Sequence, residues 1–169
     1  MIFDYMNQFL SRRTFILIPM MSILKIIFKP SKVFASKLGS QQEWDLSNKE
    51  WQKRLSPQVF YILREEGTER AFSSALNDEK RKGTFHCAGC DSPLFLSDTK
   101  YDSGTGWPSF WDSIQDALET KVDFKLIVPR TEYHCSRCGG HQGHVFNDGP
   151  PPTGKRYCNN GLALRFVPD

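Results

Sequence analysis

Two short cysteine pairs constrain this chain more than any other feature of its sequence. Both have the spacing C-x-x-C, and they are Cys87 with Cys90 and Cys135 with Cys138. Two thiolates at this spacing bind one metal ion, and two such pairs complete a tetrahedral four-sulfur shell. The intervening segment, 91–134, is longer than the roughly 15–20 residues of a compact zinc ribbon, so a larger fold must bring the pairs together. We therefore expect one structural zinc ion per chain and no organic cofactor.

Two other interpretations of the cysteine pairs stay open at this point. In an oxidising compartment the four thiols could form two disulfides, and a single C-x-x-C pair could serve a thioredoxin-like redox reaction. The redox motif normally accompanies a βαβ pattern, which this sequence lacks. Two pairs within one β-rich region favour the metal site.

The positive charge of the chain is confined to its N-terminal segment. The 169 residues carry a net charge of +3, but residues 1–35 contain five basic side chains and a single acidic one. The remaining residues therefore carry a net charge of −1. A nucleic-acid partner would require a basic surface on the folded domain, so the sequence gives no electrostatic support for one. The length suits a single folded domain.

The N-terminal segment has the organisation of an export signal. A charged region is followed by an apolar stretch at 17–28 and by small residues near Ala35. Residues 11–16 (Ser-Arg-Arg-Thr-Phe-Ile) resemble a twin-arginine signal, which predicts export to the periplasm. An organelle presequence, an ordinary signal with a chance Arg-Arg pair and an uncleaved leader are the alternatives. The apolar stretch contains Lys25 and is too short for a stable membrane span.

The rest of the chain predicts a mainly β domain after a short helical region. We expect a linker at 36–46 and the domain at 47–169. Ser47 and Glu50 form a capping-box pattern for a helix that ends before Pro57, and Ser56-Pro57 begins a second helix ended by Gly67. Aromatic and β-branched runs separated by turn residues then predict antiparallel strands at 83–87, 94–97, 122–128, 131–135, 144–147 and 161–167.

The fifth cysteine, Cys158, is the candidate nucleophile. Lys155 and Arg156 precede it, and neighbouring cations lower the pKa of a thiol and increase its thiolate fraction. The alternative is a buried structural cysteine. His141 and His144 follow the second cysteine pair and titrate near neutral pH, which makes them candidate proton donors. They could instead bind a second metal ion or lie on the polar surface.

Trp107 lies in a loop bounded by glycine and proline, in the run Gly104-Thr105-Gly106-Trp107-Pro108. A tryptophan held on such a loop can line a pocket for a small apolar group. The alternative is that Trp107 packs in the core, which is the more common location of tryptophan.

Taken together, these separated motifs resemble the methionine sulfoxide reductase B family, which acts on the R epimer of methionine sulfoxide. The resemblance runs from about Trp51 to Phe166. Its motifs, in chain order, are residues 67–69 (Gly-Thr-Glu), 85–90, 103–110 (Ser-Gly-Thr-Gly-Trp-Pro-Ser-Phe), 130–132 (Arg-Thr-Glu), 135–146 and 156–160.

The resemblance implies a fold, a metal site and a set of functional residues. The implied fold is of the β-tent (Mss4-like) type, with two antiparallel β-sheets, short N-terminal helices and a structural zinc site made by the four paired cysteines. The Cys158 thiolate would attack the sulfoxide sulfur while His144 or His141 protonates the oxygen, leaving methionine and a sulfenic acid on Cys158. Trp107 would receive the substrate methyl group. The other residues expected to orient the sulfoxide or contact the substrate are Asn160, Arg156, Phe110 and Phe146.

Two positions depart from the family pattern. Many members carry a resolving cysteine where this chain has Thr105, and Gly161 stands where the family usually has serine. Because the only other cysteines are the four of the metal site, we expect a one-cysteine cycle. An external thiol, thioredoxin-like or small, would then reduce the sulfenic acid.

These departures keep a second function open, namely a zinc-braced binding module of the same fold with weak or lost catalysis. For the enzyme we expect a monomer that acts on methionine sulfoxide, free or in proteins. We expect no nucleic-acid partner.

Overall fold

The computed structural model describes residues 43–169. The predicted leader at 1–35 and the linker residues 36–42 lie outside the described residues. Within the described part of the chain, no helix is both long enough and apolar enough to cross a membrane.

The first helix, α1 (Asn48–Arg54), begins with the predicted capping box. The Ser47 hydroxyl accepts a hydrogen bond from the backbone N–H of Glu50, and the Glu50 carboxylate accepts one from the N–H of Ser47 at 2.8 Å. These reciprocal bonds satisfy two backbone donors that a helix start otherwise leaves without partners. The prediction of this helix is confirmed.

The second helix, α2 (Pro57–Glu65), begins after Ser56 as predicted but ends one residue earlier than expected. Glu66, rather than Gly67, adopts the left-handed conformation that terminates it, with φ of 54°. The carboxylate of Glu66 forms an ion pair with Lys125 at 2.6 Å and another with Lys121. These ion pairs link the end of α2 to residues 121 and 125.

Residues 43–169 form nine strands in two antiparallel sheets, which confirms the predicted mainly β fold. One sheet has the order β2-β1-β9 and the other the order β3-β4-β8-β7-β6-β5. The strands are β1 (Gly83–Cys87), β2 (Pro93–Leu96), β3 (Lys100–Tyr101), β4 (Ser109–Phe110), β5 (Leu118–Asp123), β6 (Arg130–Cys135), β7 (His141–Phe146), β8 (Arg156–Asn159) and β9 (Leu164–Pro168).

Several of the strand predictions were wrong or incomplete. The strand predicted at 144–147 begins three residues earlier, at His141. The strand predicted at 122–128 lies earlier, because pairing with β6 ends at Asp123 and residues 124–129 form a connecting loop. The segment predicted at 161–167 begins as a 3-10 turn, Gly161–Ala163. Strands β3, β4 and β8 were missed. β3 and β4 have two residues each, and the four residues of β8 show neither alternation nor an apolar run in the sequence. β8 is a strand because it pairs with β4 and β7 on its two sides.

The core lies between the two sheets and is largely aromatic. Phe85 and Phe95 come from the small sheet, while Phe110, Tyr133 and Tyr157 come from the large one. The rings of Phe95 and Phe110 stack at 4.2 Å between centroids, and Phe85 meets Phe110 edge-on at 5.0 Å. Phe110, expected to contact substrate, is completely buried among these rings. The structure therefore places it in the core instead of a binding pocket.

Strand alternation puts a polar row on the opposite face of the large sheet. Residues directly paired on antiparallel strands share a face, and neighbours along one strand point to opposite faces. Tyr157 belongs to the core, so Cys158 points away from it. The register aligns one residue from each of five adjacent strands, in the order Ser109, Cys158, His144, Glu132 and Lys121.

Candidate functional site

The four paired cysteines come together as predicted, at the ends of one strand from each sheet. Cys87 ends β1 and Cys135 ends β6, while Cys90 and Cys138 lie in the turns that follow. The Sγ atoms of Cys87 and Cys138 are 3.7 Å apart, and those of Cys90 and Cys135 are 3.6 Å apart. All four ligand atoms lie within 4.8 Å of one another. These distances exceed the roughly 2.05 Å of a disulfide bond.

This four-cysteine cluster could hold a metal ion, and its geometry is consistent with zinc. Sulfur atoms bound tetrahedrally at about 2.3 Å from zinc would be about 3.8 Å apart, close to the observed separations. The side-chain amide of Gln142 donates a hydrogen bond to Cys87 Sγ at 3.5 Å. A buried donor directed at sulfur fits a metal-bound thiolate, which accepts hydrogen bonds.

A separate cavity of about 290 Å³ opens beside Cys158 on β8. It brings together most of the predicted site residues, which are Trp107, His144, Phe146, Arg156, Cys158 and Asn160. Five residues that were not assigned to the site from sequence also line it, and these are Thr68, Thr105, Arg130, Gly143 and Asn159. His141 and Phe110 are not among the lining residues.

Cys158 is half-buried, and the Oγ1 atom of Thr105 is 3.9 Å from its Sγ atom. The Thr105 hydroxyl is hydrogen-bonded to the Ser103 hydroxyl at 2.8 Å, and Ser103 is hydrogen-bonded to Ser109 at 2.8 Å. Thr105 therefore places a neutral hydroxyl beside the thiol, in addition to the charge of Arg156.

The expectation that two neighbouring cations lower the pKa of Cys158 was wrong in its net effect. Burial raises the pKa of the Cys158 thiol, and the Thr105 hydroxyl and the Arg156 guanidinium offset this effect only in part. Lys155 is exposed and does not contribute. The guanidinium of Arg156 is held by two hydrogen bonds to Asp148, both 2.9 Å, and lies 4.3 Å from the ring centroid of Phe146.

His144 lies beside Cys158 in the strand register and is oriented by a carboxylate. Its Nε2 atom is 2.7 Å from Oδ2 of Asp123, which also accepts a hydrogen bond from Arg130 at 2.7 Å. Burial lowers the pKa of His144, while the hydrogen bond with Asp123 acts in the opposite direction. A backbone N–H from Lys125, together with His144 and Arg130, keeps the pKa of Asp123 well below its usual value.

His141 occupies a deeper position, behind His144. It is buried, its Nδ1 is 2.7 Å from Oε1 of Glu132, and its ring centroid is 5.6 Å from that of His144. Burial would raise the pKa of Glu132, but hydrogen bonds from His141 and Lys121 outweigh it and lower that pKa. Nε2 of His141 has no hydrogen-bond partner among the described residues. Neither histidine lies on the open surface.

Among the described residues, only the four-cysteine cluster groups three or more metal-ligating side chains. The alternative of a second metal site at the two histidines is therefore not supported. The carboxylate partners of the histidines were missed as site residues. Glu132 belongs to the Arg130-Thr131-Glu132 motif, which could have indicated it, whereas no motif indicates Asp123.

The amide of Asn160 supports the cavity instead of pointing a free group into it. Its Oδ1 accepts a hydrogen bond from the Glu69 N–H at 3.1 Å, and its Nδ2 donates to the Gln142 carbonyl at 3.0 Å. The indole N–H of Trp107 donates to the Glu69 carbonyl at 3.2 Å. Asn160 thus fixes the segment that orients the indole ring.

At Gly161, where the family usually has serine, the side chain of Ser74 fills the adjacent space. A Cβ atom built on Gly161 would lie 1.9 Å from Ser74 Oγ and 2.5 Å from Ser74 Cβ. The space beside residue 161 is therefore occupied by the Ser74 side chain. A serine at 161 would require Ser74 to move.

A thiol in a small cavity, with an imidazole and a guanidinium beside it, is an arrangement suited to cysteine-based chemistry. Comparison with known proteins specifies the class further, because the family profile described as "SelR domain" matches residues 55–168. The chain belongs to this family, that of the peptide methionine sulfoxide reductases MsrB.

Three relatives illustrate the similarity. The peptide methionine sulfoxide reductase MsrB of Methanosarcina barkeri is 52% identical over 128 residues, which cover 75% of this chain and 90% of that protein. MsrB of Leptospira interrogans is 52% identical over 125 residues, covering 73% and 95%. The chloroplastic peptide methionine sulfoxide reductase B1 of Arabidopsis thaliana is 53% identical over 122 residues, covering 72% of this chain and 60% of that protein.

The contact between Thr105 and Cys158 predicts a change in the ionisation of the thiol. Replacing Thr105 with valine removes a hydroxyl that lowers the pKa of Cys158, so the pKa should rise further. The rate of iodoacetamide alkylation at Cys158, followed against pH, should then have its midpoint at higher pH. Thr105→Ser keeps the hydroxyl and should leave the midpoint near that of the wild type. An unchanged or lower midpoint in Thr105→Val would contradict this assignment.

Proposed function

We propose that this protein reduces the R epimer of methionine sulfoxide, free or within proteins, to methionine. One observation carries the proposal. Cys158 lines a side-chain-sized cavity directly beside His144 in the strand register, within a domain that matches the MsrB family over most of its length.

In the proposed reaction the Cys158 sulfur attacks the sulfoxide sulfur and the oxygen is transferred to Cys158. The methionine sulfur gains two electrons and the cysteine sulfur loses two, which leaves methionine and a sulfenic acid. His144 takes the proton from the Cys158 thiol as the sulfur attacks and returns it to the oxygen as the sulfur–oxygen bond of the substrate breaks. Burial lowers the pKa of His144 and raises the pKa of the Cys158 thiol, so the imidazole is present as the base and the thiol carries the proton that is transferred.

The remaining residues of the cavity position the substrate. Trp107 and Phe146 offer apolar surfaces to the methyl group and side chain of the substrate. Arg156, held by Asp148, places a positive charge near the polar sulfoxide. His141 acts indirectly, since it is buried against Glu132 behind His144. Asn160 maintains the position of Trp107 through Glu69.

A pair of epimeric substrates tests this proposal. With dithiothreitol present, the protein should consume the R epimer of a methionine sulfoxide peptide and leave the S epimer unchanged. Cys158→Ser should lose activity by at least about 10³-fold because it removes the nucleophile. Lys155→Ala is the matched control, since this exposed side chain lies three residues from Cys158 and outside the cavity. The proposal fails if neither epimer is reduced or if Cys158→Ser is as active as wild type.

We also propose a one-cysteine catalytic cycle. Two external thiols reduce the sulfenic acid, forming a disulfide between themselves and releasing water. In support, Thr105 presents a hydroxyl 3.9 Å from Cys158 Sγ, and the only other cysteines of the chain form the four-cysteine cluster.

Restoring a thiol at position 105 tests the cycle. After one turnover without reductant, Thr105→Cys should contain a disulfide between residues 105 and 158, because the replaced hydroxyl is already close to Cys158 Sγ. Mass spectrometry of non-reduced peptides detects this bond. The wild-type protein should instead be trapped as a sulfenic acid adduct of dimedone. A wild-type disulfide between Cys158 and a cysteine of the cluster would exclude the one-cysteine cycle.

The metal of the four-cysteine cluster is proposed to be a structural zinc ion. The full chain should contain roughly one zinc atom, and Cys135→Ser should contain less and unfold at lower temperature, because metal binding stabilises the folded state. Elemental analysis and thermal unfolding measure both effects. Cys158→Ser should keep its zinc. If Cys135→Ser does not fold, release of zinc from the native protein by a chelator provides the same test, and absence of zinc from the native protein contradicts it.

A further inference from the structure

An exposed apolar loop connects β5 and β6. We call residues 124–129 (Phe-Lys-Leu-Ile-Val-Pro) the apolar loop. Its side chains are among the most exposed large hydrophobic groups of the described residues, with Phe124 74% exposed, Leu126 57%, Val128 72% and Ile127 completely exposed. A contiguous group of exposed apolar side chains on a folded domain indicates an interaction surface.

Both ends of the apolar loop are part of the cavity structure. Asp123 precedes it and binds His144 at 2.7 Å, while Arg130 follows it and lines the cavity. Asp123 and Arg130 also pair with each other at 2.7 Å. The two ends of the apolar loop therefore lie at the cavity that contains Cys158.

The polar groups of the apolar loop hold it in position and leave its apolar side chains outward. The N–H of Lys125 donates to Asp123 at 2.8 Å, and its ammonium group forms an ion pair with Glu66 at 2.6 Å, after the end of α2. Lys125, the charged side chain of this segment, is thus paired with Glu66 and is 53% exposed. The other large exposed side chains of the loop are all apolar.

The size of the cavity determines where the rest of a protein substrate must lie. A volume of about 290 Å³ accommodates one side chain but not the neighbouring residues of a peptide. Those residues have to cross the rim. Methionine is usually buried in folded proteins, so the segments that contain it are rich in apolar residues, and these become accessible when a client unfolds.

We propose that the apolar loop binds apolar residues that flank an oxidised methionine in unfolded segments of client proteins. This inference rests on the proposed function, since it names the kind of segment that the same cavity receives. The loop would increase the affinity for such segments without contacting the sulfoxide itself.

Three substrates separate the contribution of the loop from the chemistry. They are N-acetyl-methionine-(R)-sulfoxide, a peptide with leucine and isoleucine around the sulfoxide, and a matched peptide with serine and glycine there. The full-length wild-type protein should have the highest kcat/KM for the apolar peptide. The double variant Ile127→Ser/Val128→Ser should lower kcat/KM for the apolar peptide about tenfold, because two side chains lose apolar contact. It should leave kcat/KM for the N-acetyl compound unchanged.

Leu96→Ser provides the matched control, since Leu96 is 49% exposed on β2 and does not line the cavity. It should not change the preference between the peptides. If the wild type has equal kcat/KM for the two peptides, the proposal is wrong. Equal values are the result expected if the loop instead contacts a lipid surface or another part of the chain. An equal loss for all three substrates in the double variant would likewise overturn it. Failure to reduce even the N-acetyl compound would instead contradict the proposed function.

Discussion

The four-cysteine cluster joins the two sheets, and the arrangement of the cavity depends on that junction. One cysteine pair lies at the end of β1 of the small sheet and the other at the end of β6 of the large one, so a metal ion held by all four sulfurs would link both sheets directly. Such a link would close one end of the aromatic core that the sheets share. It would also fix the start of β7, three residues after Cys138.

A chain of hydrogen bonds connects this cluster to the cavity. Gln142 donates to Cys87 Sγ at 3.5 Å, and its carbonyl accepts from the backbone and side chain of Asn160 at 2.8 and 3.0 Å. Asn160 in turn holds Glu69, whose carbonyl binds the indole of Trp107. The cluster therefore supports both the end of the strand that carries Cys158 and the aromatic ring across the cavity. Through this connection, a metal ion held by the cluster would affect the site without any chemistry at the metal.

Each buried carboxylate of the site is paired with basic side chains. Asp123 and Glu132 are both buried, and each contacts one histidine and one basic side chain. Buried carboxylates require such partners because the loss of water is otherwise strongly unfavourable. Cys158 differs, since burial raises the pKa of its thiol and the Thr105 hydroxyl and the Arg156 guanidinium offset this only in part. In the proposed reaction the thiol proton therefore passes to His144 as the sulfur attacks.

Local sequence patterns determined the features that depend on spacing along the chain. The capping box at Ser47, the start of α2 at Ser56 and the two cysteine pairs are of this kind, because their residues interact within one turn or around one ion. The ordered motifs also determined the family and most of the residues that line the cavity. Only the tertiary structure decided the position of Phe110 in the core, the pairing of His144 with Asp123 and the net effect of burial on Cys158. These features arise from strand register and from packing between sheets, which bring together residues that are distant in sequence.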